Sequence, residues 1–231
     1  VRLSDIDYDH SRRDIDLPRQ WVNHLKVLSH TTWRTDVLAL EANLAFQQNH
    51  REELSEPVSH GYMPTPDGTL ERRFDKRTWT ATLGLRRQLT EQHELSAGLS
   101  GEYQHNRRGG WGFIIPDFET ATAGAYAFDR FSVTDRLILN AGLRYDVART
   151  RIHSYNDWYL TPMGSMGDSV YQQRSAATRR HFSSLTWSAG VNYATGGWVL
   201  KANVGKSFRV PIPKELEHAK ARGAKIYAEM V

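Results

Sequence analysis

The chain contains no cysteine among its 231 residues. This absence excludes disulfide bonds, thiolate nucleophiles and zinc sites with cysteine ligands. It leaves the redox compartment open, because exported and cytosolic proteins can both lack cysteine.

Long apolar segments are also missing. No run of about 18 apolar residues occurs, which excludes a transmembrane helix. The mean hydropathy of −0.59 is negative, but membrane-spanning strands are half polar, so this value does not exclude a β-barrel. Charge is nearly balanced, with 30 Lys and Arg against 26 Asp and Glu, and the basic residues are scattered. We therefore expect no nucleic-acid partner.

Catalytic and metal-binding patterns are absent as well. The ten histidines include no HExxH or HxxxH pair, and several fall in or beside loop-like segments, namely His50, His60, His153 and His181. "GKS" (205–207) lacks the upstream spacing of a phosphate loop. "REELSEP" (51–57) has three carboxylates without calcium-loop spacing, which favours a charged loop over a Ca²⁺ site. We predict no enzyme, no cofactor and no metal site.

What the chain does contain is alternation. In "LILNAGLRYDV" (137–147) every second residue is apolar or small, and the residues between include Asn140, Arg144 and Asp146. A period of two puts these two sets on opposite faces of a strand. One face is therefore wet, and the other must be covered by something apolar.

The same alternation recurs along the chain and predicts about nine strands. They are residues 2–9, 21–30, 36–48, 78–88, 93–106, 119–131, 136–150, 183–194 and 198–208. Short turns are predicted at 31–35, 89–92, 132–136 and 195–197, and long loops at about 10–20, 50–76, 107–118 and 151–182. Short and long connections alternate, so in a meander all the short turns lie at one end.

This layout is typical of up-and-down outer-membrane β-barrels, which have short turns at one rim and long loops at the other. A soluble antiparallel sheet packed on a second layer is the alternative, but the chain has too few other apolar segments to cover so many strands. We therefore predict an all-β, antiparallel, transmembrane barrel fragment in contact with outer-membrane lipid. The predicted lipid-facing residues include Leu139, Leu143, Leu185, Trp187 and Leu200.

Two segments, "LNAGLRYD" (139–146) and "GKSFRVPIPKEL" (205–216), resemble TonB-dependent outer-membrane receptors, as do "ERRFDKRTW" (71–79) and "GGWGFIIPDF" (109–118). The resemblance covers roughly residues 1–216 and implies a mid-barrel piece of a barrel of roughly 22 strands. It implies a Gram-negative outer-membrane receptor that imports a siderophore, cofactor or oligomeric nutrient. Its plug domain and TonB-contacting segment are expected outside this piece. A passive porin-like channel or surface-binding barrel is the alternative.

The segment "NRRGGWGFIIP" (106–116) is the leading candidate for cargo binding. Arg107 and Arg108 are adjacent cations suited to an anionic ligand, and Trp111 and Phe113 could stack on an organic ligand. Trp158, in "YNDWY" (155–159), is a weaker candidate of the same kind. The alternative is that these side chains pack loop against loop or bind outer-leaflet phosphates.

From about residue 215 the pattern changes. "ELEHAKARGAKIYAEMV" (215–231) reads as helix, turn and strand, with a stop at Gly223. This tail resembles a short internal stretch of β-ketoacyl carrier-protein synthases, but the nucleophilic cysteine of that family is absent, and His218 matches no catalytic position. We expect a barrel piece over residues 1–214 and a foreign tail over 215–231, joined by gene fusion or an assembly artefact. A divergent receptor loop is the alternative.

Overall fold

The computed structural model describes residues 17–59, 64–160, 169–213 and 215–216. These residues form ten strands, of which eight build one antiparallel sheet in the order β1-β2-β3-β4-β5-β6-β9-β10. The other two, β7 and β8, pair as a separate hairpin. The strands are β1 (Arg19–Arg34), β2 (Leu38–Leu54), β3 (Leu70–Gln88), β4 (His93–Gly109), β5 (Phe118–Thr134), β6 (Leu137–Ile152), β7 (Tyr155–Leu160), β8 (Ser169–Ser175), β9 (Thr178–Thr195) and β10 (Trp198–Lys206).

The all-β antiparallel meander is confirmed, with two corrections to its bounds. Most strands of the large sheet run 16–19 residues, longer than predicted, so the segment 31–34 is strand rather than turn. The loop expected over 151–182 shrinks to 153–177 and contains the β7–β8 hairpin. The predicted strand over 2–9 and all but the first two residues of the predicted tail lie outside the described residues.

The short turns lie at one end of the sheet, as predicted, and each of three turns is capped by a threonine hydroxyl. The hydroxyls of Thr35, Thr90 and Thr134 accept hydrogen bonds from the backbone N–H three residues later, at 3.1–3.2 Å. The fourth turn instead uses Gly196 and Gly197, whose φ angles are +52° and +82°. The connections at the opposite end are all longer, namely 55–69, 110–117 and 153–177.

Register places most of the large apolar residues of the eight strands on one side, which we call the apolar face. Phe46 lies opposite Trp79, and Trp79 lies opposite Tyr103, with ring centroids 5.2 and 5.7 Å apart. Farther along the sheet, Leu143 lies opposite Trp187. Leucines near the middle of this face are well exposed, with Leu44, Leu99 and Leu143 at 58–60%. No layer of the described residues covers them.

The opposite side, which we call the polar face, carries side chains that lie flat across neighbouring strands. Arg144 on β6 reaches over β5 to the hydroxyl of Ser100 on β4, at 2.9 Å. It crosses at Gly124, where a Cβ would collide with the Arg144 guanidinium and the Asp146 carboxylate. Tyr126 crosses β4 at Gly98 in the same way. Glycine on this face therefore makes room for long side chains of the next strand.

A small buried core lies at the long-loop end of the polar face. Phe118, Ile152 and Leu216 are 2–5% exposed and pack together, with Ile115 and Phe182 beside them. Leu216 belongs to the segment predicted as a foreign tail, yet it packs on residues of β5 and β6. Among the described residues there is no helix long and apolar enough to cross a membrane.

Candidate functional site

Two long loops meet above the polar face through a stack of four side chains. The rings of Phe113 and Tyr155 are parallel, with centroids 4.6 Å apart and planes 8° apart. The guanidinium of Arg108 covers Tyr155 at 4.1 Å, and that of Arg174 covers Phe113 at 4.4 Å. We call this the arginine–aromatic stack. Because each cation lies on a ring face, the stack joins the 110–117 loop to the β7–β8 hairpin.

Arg108 is held in this stack by several hydrogen bonds. Its guanidinium donates to the carbonyls of Gly110 and Gly112 at 2.5 and 3.2 Å, and its backbone N–H donates to Asp117 Oδ1 at 2.6 Å. Gly110 has φ +80°, and a Cβ there would collide with the backbone of Glu71. The glycine pair next to Arg108 therefore gives the loop the turn that brings its carbonyls back to the guanidinium.

The structure does not bring Arg107 and Arg108 together. They are consecutive residues of β4, so their side chains leave opposite faces of the sheet. Arg107 is paired in register with Asp75 on the apolar face, and its Nε lies 3.1 Å from His105 Nε2. The two arginines are adjacent in the sequence, which suggested a single anion site, but strand geometry puts their side chains on opposite faces of the sheet.

The remaining predicted cargo residues lie at two places. Trp111 is in the 110–117 loop beside the start of β3, where its backbone N–H donates to the Leu70 carbonyl at 3.4 Å. Trp158 is on β7, with its ring 5.1 Å from that of Tyr171 on β8. Phe113 alone of the predicted aromatics joins Arg108 in the stack.

Sequence reasoning missed Arg174 and did not single out Tyr155. Arg174 lies on β8 and is tied to the Asp157 carboxylate of β7 at 2.5 Å. Its partner in the stack, Phe113, is 61 positions away in the chain, by the difference of their numbers. No local pattern signals such a contact, and only the segment containing Tyr155 stands out for its aromatic content.

Two of the three carboxylates of "REELSEP" are paired with side chains of the chain itself, Glu52 with His50 at 3.2 Å and Glu53 with two arginines. Glu53 accepts from Arg72 at 2.9 Å and also pairs with Arg51. Burial opposes the ionisation of Glu53, but the hydrogen bonds and positive charge of these two arginines outweigh it and hold its pKa below the ordinary value. Within the described ranges, no group of three His, Cys, Asp or Glu side chains is placed to bind a metal.

Known proteins resemble the chain over most of its length. It is 26% identical over 120 residues to the rhizobactin receptor of Rhizobium meliloti, which is 52% of this chain and 16% of that receptor. The FrpB iron transporter of Neisseria meningitidis shares its fold at 16% identity, with a TM-score of 0.62 over 87% of this chain and 31% of that one. The HasR hemophore receptor of Serratia marcescens, solved with its hemophore HasA and heme, shares it at 21% identity, with a TM-score of 0.62 over 85% of this chain and 32% of that one.

The chain therefore spans about a third of the solved relatives and less of the rhizobactin receptor. The family model of TonB dependent receptor-like β-barrels matches residues 2–217. This match includes all four segments that carried the resemblance in the sequence. The chain belongs to the family of TonB-dependent receptor-like β-barrels.

Proposed function

We propose that this chain is part of the wall and loops of an outer-membrane receptor that imports a scarce ligand with energy supplied through TonB. The observation that carries the proposal is the joining of two long loops above the polar face, next to the buried cluster. A receptor must hold cargo at this end, above the lumen that the polar face would line. A passive porin-like channel or surface-binding barrel is the second candidate, because its strands would show the same alternation.

We further propose an iron-bearing or other metal-bearing organic complex as the cargo class. The supporting observations are the names of the relatives, which include a rhizobactin receptor and an iron transporter, and the chemistry of the loops. Arginine and aromatic side chains in these loops suit an anionic, conjugated ligand. The predicted cargo residues are Arg107, Arg108, Trp111, Phe113 and Trp158, and we propose different roles for them.

Arg108 and Phe113 are proposed to shape the site, because their polar and ring surfaces already contact other loop residues. Trp158 is proposed to contact cargo from the β7–β8 hairpin, which the arginine–aromatic stack holds in position. Trp111 belongs with the loop that carries Phe113. Arg107 lies on the apolar face, so we expect its role in uptake to be the smallest of the five.

The apolar face is proposed to contact the lipid of a Gram-negative outer membrane, with Leu139, Leu143, Leu185, Trp187 and Leu200 among the lipid-facing residues. The exposure of these side chains supports this proposal. The plug domain and TonB are proposed partners of the whole receptor, and cargo is the third.

We also keep the proposal that the tail is foreign to the receptor. The family match ends at residue 217, close to the predicted joint at residue 215. Sequencing the source locus tests this proposal. An uninterrupted receptor gene continuing past residue 231 into further barrel strands would contradict it.

The uptake function is tested in a Gram-negative host that lacks its own ferric-chelate receptors. The receptor carrying this chain is expressed with and without TonB, and uptake of radiolabelled iron is measured for a panel of ferric chelates. We expect uptake of at least one chelate that is lost without TonB. Uptake that persists without TonB would favour the passive channel instead.

Loop roles are tested in the same assay with Trp158→Ala and Arg107→Ala. We expect Trp158→Ala to raise the chelate concentration that gives half-maximal uptake, because a stacking surface is lost. Arg107→Ala is the control, with uptake near that of the wild type. Equal losses in the two variants would contradict the division of roles.

A further inference from the structure

Basic side chains are concentrated on the apolar face at its long-loop end. On β6, outward-pointing Tyr145 is followed by Arg149 and Arg151 toward the loops. On β9, Leu185 is preceded by His181 and Arg179, which are also nearer the loops. Each strand therefore passes from apolar or aromatic to basic residues on the same face.

Register gathers these residues into one patch. Arg149 lies directly opposite His181, and Arg151 lies directly opposite Arg179. Side chains paired across antiparallel strands on one face have Cβ atoms about 4.5–5.5 Å apart. Arg151 and Arg179 are like charges in that position, which destabilises their pairing, so an anion nearby would stabilise the patch.

The described part of the chain places one carboxylate beside this patch, that of Glu119. The guanidinium groups of Arg149, Arg151 and Arg179 make no ion pair or hydrogen bond with other described residues. Glu119 lies opposite Arg151 in register, but its carboxylate contacts His153 Nε2 at 3.5 Å instead. Arg144 on the polar face, by contrast, is paired with Asp146.

We propose that Arg149, Arg151, Arg179 and His181 bind the phosphate groups of lipopolysaccharide, the phosphorylated glycolipid of the outer leaflet. Arginine presents a planar fork that binds phosphate oxygens in pairs. The patch borders the apolar band without a break, so a bound lipid would place its acyl chains on Tyr145 and Leu185. This inference rests on the proposed contact of the apolar face with lipid.

Position also separates this patch from cargo. Arg108 and the arginine–aromatic stack are on the polar face, and the patch is on the other side of the same sheet. A ligand held above the lumen would not reach it. The match of positive charge to phosphate, next to an apolar surface, favours a lipid over a protein partner.

The test uses the whole receptor in detergent micelles and measures binding of bisphosphorylated lipid A and of its dephosphorylated form. Arg149→Gln with Arg179→Gln removes two charges from the patch. The matched control is Lys76→Gln with Arg180→Gln, which removes two charges from the polar face near the same end of the sheet. Folding of each variant is checked by its heat-dependent migration in gel electrophoresis.

We expect the patch variant to bind bisphosphorylated lipid A at least about tenfold more weakly, since charge-assisted hydrogen bonds are lost. The control variant should bind within about twofold of the wild type. The dephosphorylated lipid should bind the wild type about as weakly as the patch variant binds lipid A. Equal binding of the two lipids by the wild type, or equal losses in the two variants, would overturn the proposal.

Failure of the lipid site is distinguishable from failure of the lipid-facing orientation. A spin label is attached at Leu185→Cys in a cysteine-free receptor, and its collisions with oxygen, which dissolves in hydrocarbon, are compared with those of a label at Ser184→Cys. High oxygen access at residue 185 alone supports the orientation. That result without phosphate-dependent binding overturns only the lipid site, whereas equal access overturns both.

Discussion

Leu143→Arg distinguishes lipid from water on the apolar face. Leu143 lies between Trp187 of β9 and Ala127 of β5 and is 58% exposed. If water covered this face, a charged residue at so open a position would change stability by no more than about 0.5 kcal/mol. In hydrocarbon, the same arginine near the bilayer midplane costs about 2–4 kcal/mol. The expected loss of stability is therefore several-fold larger if lipid covers this face than if water does.

The structure also supplies a depth series and a control. Leu137 points to the same side as Leu143 but lies beside the short turn, where the cost falls to about 0–1 kcal/mol. Asn140 points to the polar face, between Arg130 and Gly190, so an arginine there remains in water and meets only the repulsion of Arg130, on the order of 0.2–1 kcal/mol. We expect the destabilisation to be largest at Leu143 and to be no more than about 1 kcal/mol at Leu137 and at Asn140.

The measurement is reversible unfolding of the whole receptor in lipid vesicles by denaturant, with the free energy of unfolding obtained from each titration. Each variant is compared with the wild type at the same lipid composition. Losses at Leu143 and Asn140 that agree within about 0.5 kcal/mol would refute the assignment of the two faces.

Three further predictions concern the polar face and the loops. Gly98→Ala should destabilise the receptor by about 1–3 kcal/mol in denaturant titrations, because its Cβ would lie 2.6 Å from the Leu83 carbonyl; Gly101→Ala, with its nearest neighbour atom at 3.8 Å, should be tolerated. Arg108→Ala should speed hydrogen exchange in the 153–177 loop by breaking the arginine–aromatic stack, and unchanged exchange would contradict that role. The hydrogen bond from Arg209 and one from the Ile212 backbone hold the pKa of Glu215 below its ordinary value. Protection of segment 207–216 from proteolysis should therefore be complete above about pH 5 and should be lost as pH falls through the folded-state pKa. Glu215→Gln should abolish that pH dependence.

The faces of the sheet follow from sequence because alternation is a local property. Leu139 and Asn140 are assigned to opposite sides by their parity alone, and register then aligns that parity across all eight strands. The Thr and Gly turns are equally local, because each depends on side chains within four residues. For these reasons the meander and the ends of its connections were predictable.

The loops were less predictable because their contacts are not local. Arg107 and Arg108 look like a pair in the sequence, yet strand geometry separates them, since β4 continues to Gly109. Arg174 and Phe113 meet only because β5 pairs with β6, which places the 110–117 loop and the β7–β8 hairpin at one rim. The strands exceeded their predicted lengths for a related reason: beyond the apolar band both faces become polar, and the alternation that marks a strand fades.

Both faces contain charged groups that pair with one another, so pairing alone does not distinguish them. On the polar face, Arg144 contacts Asp146 and Ser100. On the apolar face, Arg77 contacts Asp75 at 3.3 Å. Arg149 has no such neighbour among the described residues, and a charge left in that state next to hydrocarbon is costly. The proposed phosphate site would supply its counter-ion from outside the chain.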